Sequence, residues 1–216
     1  EVIEKVAGVD PSRICVVSGP NLSLEIASEE PTASVASSVS EETRTAVAEA
    51  ASNEYFTTFT NTDVIGTEFG GILKNLIAVA IGIVNGVGYG ENTKASIMTR
   101  GLAEISRFAV AFGASPTTMV GLAGLGDLIA TSESPLSRNH KAGEMLGRGY
   151  TKSEVLKRMS QTAEGLSSVA PVLQLAAEKG VRMPIVEQVQ LVIEGRMNPR
   201  DIAPHLTHET DRPQGE

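Results

Sequence analysis

The spacing of apolar and polar positions changes character near Gly66. Before it, short β-branched runs alternate with helical patterns. Ile14 to Val17 reads as a strand ending at the turn Ser18-Gly19-Pro20, and Ser23 to Glu30 has helical composition. Thr32 to Val39 and Tyr55 to Thr60 read as two more strands. Between them, Ser40 stands at an N-cap, with Glu41 and Glu42 in the first turn of a helix running to about Asn53. Strand–helix–strand alternation predicts an α/β unit with too few strands for a complete sheet.

After Gly66 the pattern turns helical. Ser115-Pro116 is a cap followed by proline at the first helical position. Thr151-Lys-Ser-Glu154 is a capping box. Gly113, Gly149, Gly180 and Gly195 stand where helix C-caps belong. Seven or so helices are expected between Thr67 and Leu206. The boundaries that follow are an α/β unit over 1–66, an all-helical domain over 67–206 and a frayed tail over 207–216.

Composition narrows the function. A chain of 216 residues, 41% hydrophobic and 20% charged, is long enough for one substantial core. Its net charge of −8 argues against nucleic-acid or anionic-membrane surfaces, which need a basic stripe. It leaves room for a small anionic substrate in a local cationic pocket. The single cysteine, Cys15, excludes an intramolecular disulfide and fits a reducing, cytoplasmic setting. The first residues lack the apolar region of a signal peptide, and no initiating Met stands first, as expected of a piece of something longer. The most apolar stretch is 72–88; its longest uncharged run, Asn75 to Gly90, holds two Asn and four Gly and is shorter than the ~20 residues of a span, so a buried helix is expected.

Charge is scarce in the stretches where chemistry would need it. Lys74 is the only charged residue between Phe69 and Gly90, and burial can lower a lysine's pKa toward values useful for proton transfer. Taken alone, a lysine that snorkels its head into water is the commoner outcome. Gly71, Lys74, Ala78, Gly82 and Asn85 share one helix face, a small-residue stripe that lets a backbone or a ligand approach. Asp127 is the lone charge in Gly121-Leu-Ala-Gly-Leu-Gly-Asp-Leu-Ile129 and needs a cation, for which Lys74 or Arg100 could serve; a structural ion pair or a helix cap is the plainer alternative. Ser137-Arg138-Asn139 opens a helical stretch, where N–H groups and an arginine fork suit a phosphate; a solvated arginine competes. His205 and His208 fall in the frayed tail, so no metal site is expected, and His140 shows no evident partner. No G-x-G-x-x-G follows a strand: position 91 after Gly86-Val-Gly-Tyr-Gly90 is Glu, and Gly124-Leu-Gly126 leads to Ile129.

Taken in order, Glu68-Phe-Gly-Gly-Ile-Leu-Lys-Asn75, Gly90-Glu-Asn92, Thr99-Arg-Gly-Leu-Ala-Glu104, Gly121 to Leu128 and Ser137-Arg-Asn139 resemble bacterial NAD(P)-dependent glycerol-3-phosphate dehydrogenase. The resemblance runs from Ser18 to about Leu206. It implies the end of a Rossmann-type domain followed by an all-α substrate domain of the 6-phosphogluconate-dehydrogenase C-terminal type, in a cytoplasmic homodimer using NAD or NADP. It implies interconversion of sn-glycerol 3-phosphate and dihydroxyacetone phosphate by hydride transfer, supplying glycerol 3-phosphate for phospholipid synthesis. The chain would then begin late in the Rossmann domain and be inactive alone.

By the same resemblance Lys74 is the acid/base at the substrate C2 oxygen and Asp127 its carboxylate partner. Asn75 and Thr131 line the substrate site, and Ser137, Arg138 and Asn139 form the phosphate motif. Arg138, Thr162 and Glu164 match positions facing the cofactor. The Ser18-Gly19-Pro20 turn corresponds to a segment at the cofactor and substrate cleft, which brings in Gly19, Asn21 and Ser23. The family usually has Ser or Thr at the position of Asn21 and Ala at that of Ser23. Two other readings stay open: a β-hydroxyacid dehydrogenase, which typically has Asn four residues after its helix lysine where this chain has Ala78, and a non-catalytic helical dimerisation module.

Overall fold

The computed structural model describes residues 2–159 and 162–205. The chain divides into two compact units, one of residues 1–74 and 105–131, the other of 75–104 and 132–216. The expected tail over 207–216, with His208, lies outside the described residues, as does the His205 side chain.

The first unit opens with a short exposed helix, α1 (Val2–Ala7), and carries a three-stranded sheet of β1 (Val16–Ser18), β2 (Thr32–Ser37) and β3 (Phe56–Asn61). The order is β1-β2-β3, with β1 antiparallel to β2 and Val35 of β2 parallel and in register with Phe59 of β3. A short helix, α2 (Ser23–Ala27), links β1 to β2, and α3 (Glu41–Ala51) is the crossover between the parallel pair. Ser40 caps α3 as its sequence predicts, its Oγ accepting the Thr43 N–H at 3.3 Å. β1 begins later than the apolar run suggested, leaving the half-buried Cys15 just ahead of it.

From Val64 onward the described residues contain no strand. The long helix α4 (Val64–Val87) and its neighbour α5 (Glu91–Ala111) are followed by the short α6 (Pro116–Met119), a π-turn over Leu122–Gly126, and α7 (Asp127–Glu133). Then come α8 (Arg138–Gly147), α9 (Lys152–Arg158), α10 (Glu164–Glu178), α11 (Pro184–Ile193) and α12 (Ile202–His205). The count exceeds seven because α6 and α12 are single turns. The Thr151–Glu154 capping box forms in full, and Gly113, Gly149, Gly180 and Gly195 all take positive φ at helix ends. α4 is long and apolar enough to cross a membrane by length and composition, but 61% of its most apolar window is buried.

Each unit has its own core. In the first, Phe108 meets Phe69 edge-on with centroids 5.4 Å apart, and Phe112 stacks at 4.8 Å on Phe108. In the second, the fully buried Leu76, Ile77, Val79, Ile81 and Ile83 of α4 carry the packing. There α4 and α8 touch backbone to backbone. A Cβ on Gly82 would lie 3.0 Å from Gly143 Cα, and one on Gly86 would lie 3.0 Å from Gly147 Cα. Part of the small-residue stripe thus serves helix contact. The second core also buries Glu104, whose carboxylate accepts the N–H groups of Ile185 at 3.0 Å and Val186 at 3.1 Å, capping α11 from another helix.

Candidate functional site

Lys74 and Asp127 meet where Gly70 lets the backbone of the π-turn approach α4. A Cβ on the buried Gly70 would collide with the carbonyl of Ala123 in the π-turn. Gly124 is equally confined, by the backbone of Met119. Gly71 faces the turn before α2, where a Cβ would stand 3.0 Å from Ser18 Oγ. Asp63 fixes the start of α4: its Oδ1 accepts the Gly66 N–H at 2.9 Å, and its Oδ2 accepts the Ser115 N–H at 2.8 Å. Sequence reading passed over Asp63, although an Asp just before a long apolar helix is an N-cap signal. The result is a π-turn seated beside α4, delivering Asp127 at the first position of α7.

The Lys74 ammonium forms an ion pair with Asp127 Oδ2. The Lys74 side chain is 17% exposed and that of Asp127 5%, so the ammonium does not snorkel. Thr131, one turn along α7, donates its hydroxyl to Asp127 Oδ1 at 3.2 Å. Burial pushes the Asp127 carboxyl above the usual carboxylate range, and the Lys74 charge and the hydrogen bonds from Lys74 and Thr131 oppose it. The Asp127 carboxyl is therefore held between burial and its cation, an environment of the kind found at functional sites.

The turn bearing Gly19 stands in the same unit. Gly19 has φ 148°, and a Cβ there would be 3.1 Å from Ser34 Cα, so its missing side chain is used by the chain's own strand β2. Ser34 Oγ donates to the Ser18 carbonyl at 2.9 Å, and Asn21 Nδ2 reaches Ser34 Oγ at 3.2 Å. Asn21 and Ser23 are exposed.

In the second unit Ser137 caps α8, its Oγ accepting the His140 N–H at 3.2 Å. Arg138 is exposed at the first helical position. Asn139 points inward: its Nδ2 donates to Asn75 Oδ1 at 2.8 Å and its Oδ1 accepts the Gly165 N–H at 2.9 Å. Its carboxamide keeps one N–H to offer a ligand. Thr162 and Glu164 are exposed at the start of α10. Arg100, the other cation considered for Asp127, lies on α5 in this unit. A cavity of about 550 Å³ near Tyr150 and Arg196 includes none of these residues. No group of three His, Cys, Asp or Glu residues among those described could hold a metal.

Residues 63–204 match the family model described as NAD-dependent glycerol-3-phosphate dehydrogenase C-terminus. The chain belongs to that family. It is 67% identical over its whole length to a glycerol-3-phosphate dehydrogenase [NAD(P)+] of Leifsonia xyli subsp. xyli, covering 58% of that protein. A namesake from Frankia casuarinae is 51% identical over 99% of the chain and 64% of its own length. The chain thus spans about three-fifths of these curated relatives. Among solved structures, glycerol-3-phosphate dehydrogenase from Coxiella burnetii superposes with a TM-score of 0.86 at 35% identity, over 90% of this chain and 60% of that one. The three-stranded sheet followed by a helical region is therefore an arrangement seen in this dehydrogenase family.

Proposed function

We propose that this chain carries the proton-transfer and phosphate-binding residues of an NAD(P)-dependent glycerol-3-phosphate dehydrogenase, interconverting sn-glycerol 3-phosphate and dihydroxyacetone phosphate. The buried Lys74–Asp127 pair carries the reading, since reduction at C2 needs a proton donor at the new alkoxide. In that direction the Lys74 ammonium gives its proton to the C2 oxygen. In the other, the amine takes the hydroxyl proton, with Asp127 stabilising the charge that forms. Thr131 holds the carboxylate toward Lys74. Arg138 offers the phosphate a planar fork, Ser137 shapes the turn behind it, and Asn139 adds one N–H. Asn75 is assigned to the substrate site by motif.

When bound, the nicotinamide supplies or takes the hydride. None of the three strand–helix turns among the described residues is a glycine-rich cradle for a pyrophosphate, because Gly19 is already pressed onto Ser34, the β2–α3 turn is Ser38-Val-Ser40 and the β3–α4 turn is Thr62-Asp63. What this chain offers a dinucleotide is the exposed set Ser23, Arg138, Thr162 and Glu164. We place the enzyme in the cytoplasm as a homodimer, supplying glycerol 3-phosphate to phospholipid synthesis.

The test is oxidation of NADH or NADPH by dihydroxyacetone phosphate with the complete protein. Turnover that vanishes in Lys74→Ala supports the reading; no turnover of this substrate by the unsubstituted protein would overturn it.

A further inference from the structure

The reading above leaves His140 unused, yet its ring is engaged at both nitrogens. Nδ1 lies 2.5 Å from the carbonyl oxygen of Ser132, and Nε2 lies 3.4 Å from Asn85 Nδ2. A carbonyl only accepts, so Nδ1 carries the proton and Nε2 is bare, able to accept from the Asn85 amide. Ser132 is fully buried in the last turn of α7, where helix carbonyls lack intrahelical partners. The His140 ring therefore caps α7 while its backbone N–H is held by Ser137 in the first turn of α8.

Resting on the assignment of Arg138 to the substrate phosphate, we propose that His140 is a positioning residue. It ties the first turn of α8 to the end of α7 and to α4, and so sets where the Arg138 guanidinium is presented. Arg138 is exposed and has no hydrogen bond or ion pair among the described residues, so its own side chain has no internal guide. Its aim depends on the turn it grows from. A cavity of about 300 Å³ beside the ring is lined by Lys94, Glu133, Lys141 and Glu144 as well as Asn85 and Pro135. Lys94 is paired with Glu91 at 2.8 Å and Glu144 with Arg148, and the ring's own hydrogen-bond partners are the neutral Ser132 carbonyl and Asn85 amide. The hold is one of hydrogen-bond direction.

Two conservative variants separate the two tethers in the complete protein. Asn at position 140 keeps a donor near the place of Nδ1, whereas Gln keeps a polar atom near the place of Nε2. His140→Ala is expected to raise KM for dihydroxyacetone phosphate about tenfold with kcat within about twofold, as expected of a misplaced substrate-holding group. KM for the nicotinamide cofactor should stay unchanged, and the preference for dihydroxyacetone phosphate over unphosphorylated dihydroxyacetone should narrow. His140→Asn should restore most of the KM and His140→Gln should not.

An unchanged KM in His140→Ala would overturn the proposal. So would a parallel fall in kcat, cofactor affinity and melting temperature, which marks a merely structural role. If His140→Ala does not fold, the contrast between the Asn and Gln variants decides, and equal KM values in those two would overturn it. Nitrogen NMR of the histidine ring reads the tether itself, independently of turnover: a protonated Nδ1 and bare Nε2 at neutral pH support it, and the opposite tautomer overturns it. Failure of the phosphate assignment shows separately, as an Arg138→Lys protein with unaltered KM alongside the expected tautomer.

Discussion

Asn139 accepts the backbone N–H of Gly165 at 2.9 Å, so a side chain at the second position of α8 caps the start of α10. Ala163, at the N-cap of α10, makes no side-chain cap of its own. Gly165 is required at that place, since a Cβ would come within 2.8 Å of the Asn75 carbonyl. Asn139→Ala should lower stability by about 1–3 kcal/mol through the buried N–H left without a partner. Urea denaturation of the variant checks this; a midpoint equal to that of the unsubstituted protein would show the bond to be dispensable.

Lys74→Ala is expected to lower kcat at least ~100-fold, the contribution of a general acid–base. The protein should stay folded, because burial already favours the protonated form of Asp127, which can then stand without its cation. Steady-state kinetics with circular dichroism on the same sample distinguishes lost chemistry from lost fold. Turnover near that of the unsubstituted enzyme would remove Lys74 from the mechanism.

Arg138→Lys should raise KM for dihydroxyacetone phosphate, a point charge replacing a planar fork. Stability should move by no more than about 0.5 kcal/mol, since the side chain is exposed. The two measurements together identify an arginine that serves a ligand.

Asp127 makes stability depend on pH with a definite sign. Its carboxyl is raised above the model-compound value of 3.8, so between 3.8 and the raised value the folded chain binds more protons than the unfolded one. The Asp127 contribution to stability is therefore greatest in acid and falls as pH rises through that interval. Unfolding midpoints of the unsubstituted protein minus those of Asp127→Asn should decline as pH rises from about 4. A flat or rising difference would mean that the Lys74 charge outweighs burial.

The parts of this fold set by neighbours in sequence were readable from sequence. The Ser40 cap, the Thr151–Glu154 box and the four glycine C-caps depend on a few consecutive residues, and each forms as expected. Lys74 and Asp127 stood out as lone charges in apolar runs, but their meeting depends on Gly70 admitting the π-turn, a contact between distant segments. Nothing local marks the π-turn itself, because Gly121, Gly124 and Gly126 suit several kinds of turn. His140 offered no partner in sequence because one is a backbone carbonyl and the other, Asn85, lies far along the chain. Gly82, in the small-residue stripe, read as room for a ligand or a backbone, and only the packed structure shows that α8 takes that room.

That last contact limits how α8 can move. Gly82 and Gly86 face Gly143 and Gly147 in the same order along both helices, with Cα and carbonyl atoms in place of side chains. Backbone has no rotamers to redistribute, so small displacements cannot be absorbed by repacking. The next seating with glycine opposite glycine lies four residues away, a slide of about 6 Å. α8 is thus indexed to α4 like a key to its notch over Gly143 and Gly147, while the first turn that carries Arg138 lies ahead of those contacts and is held by the His140 tether instead.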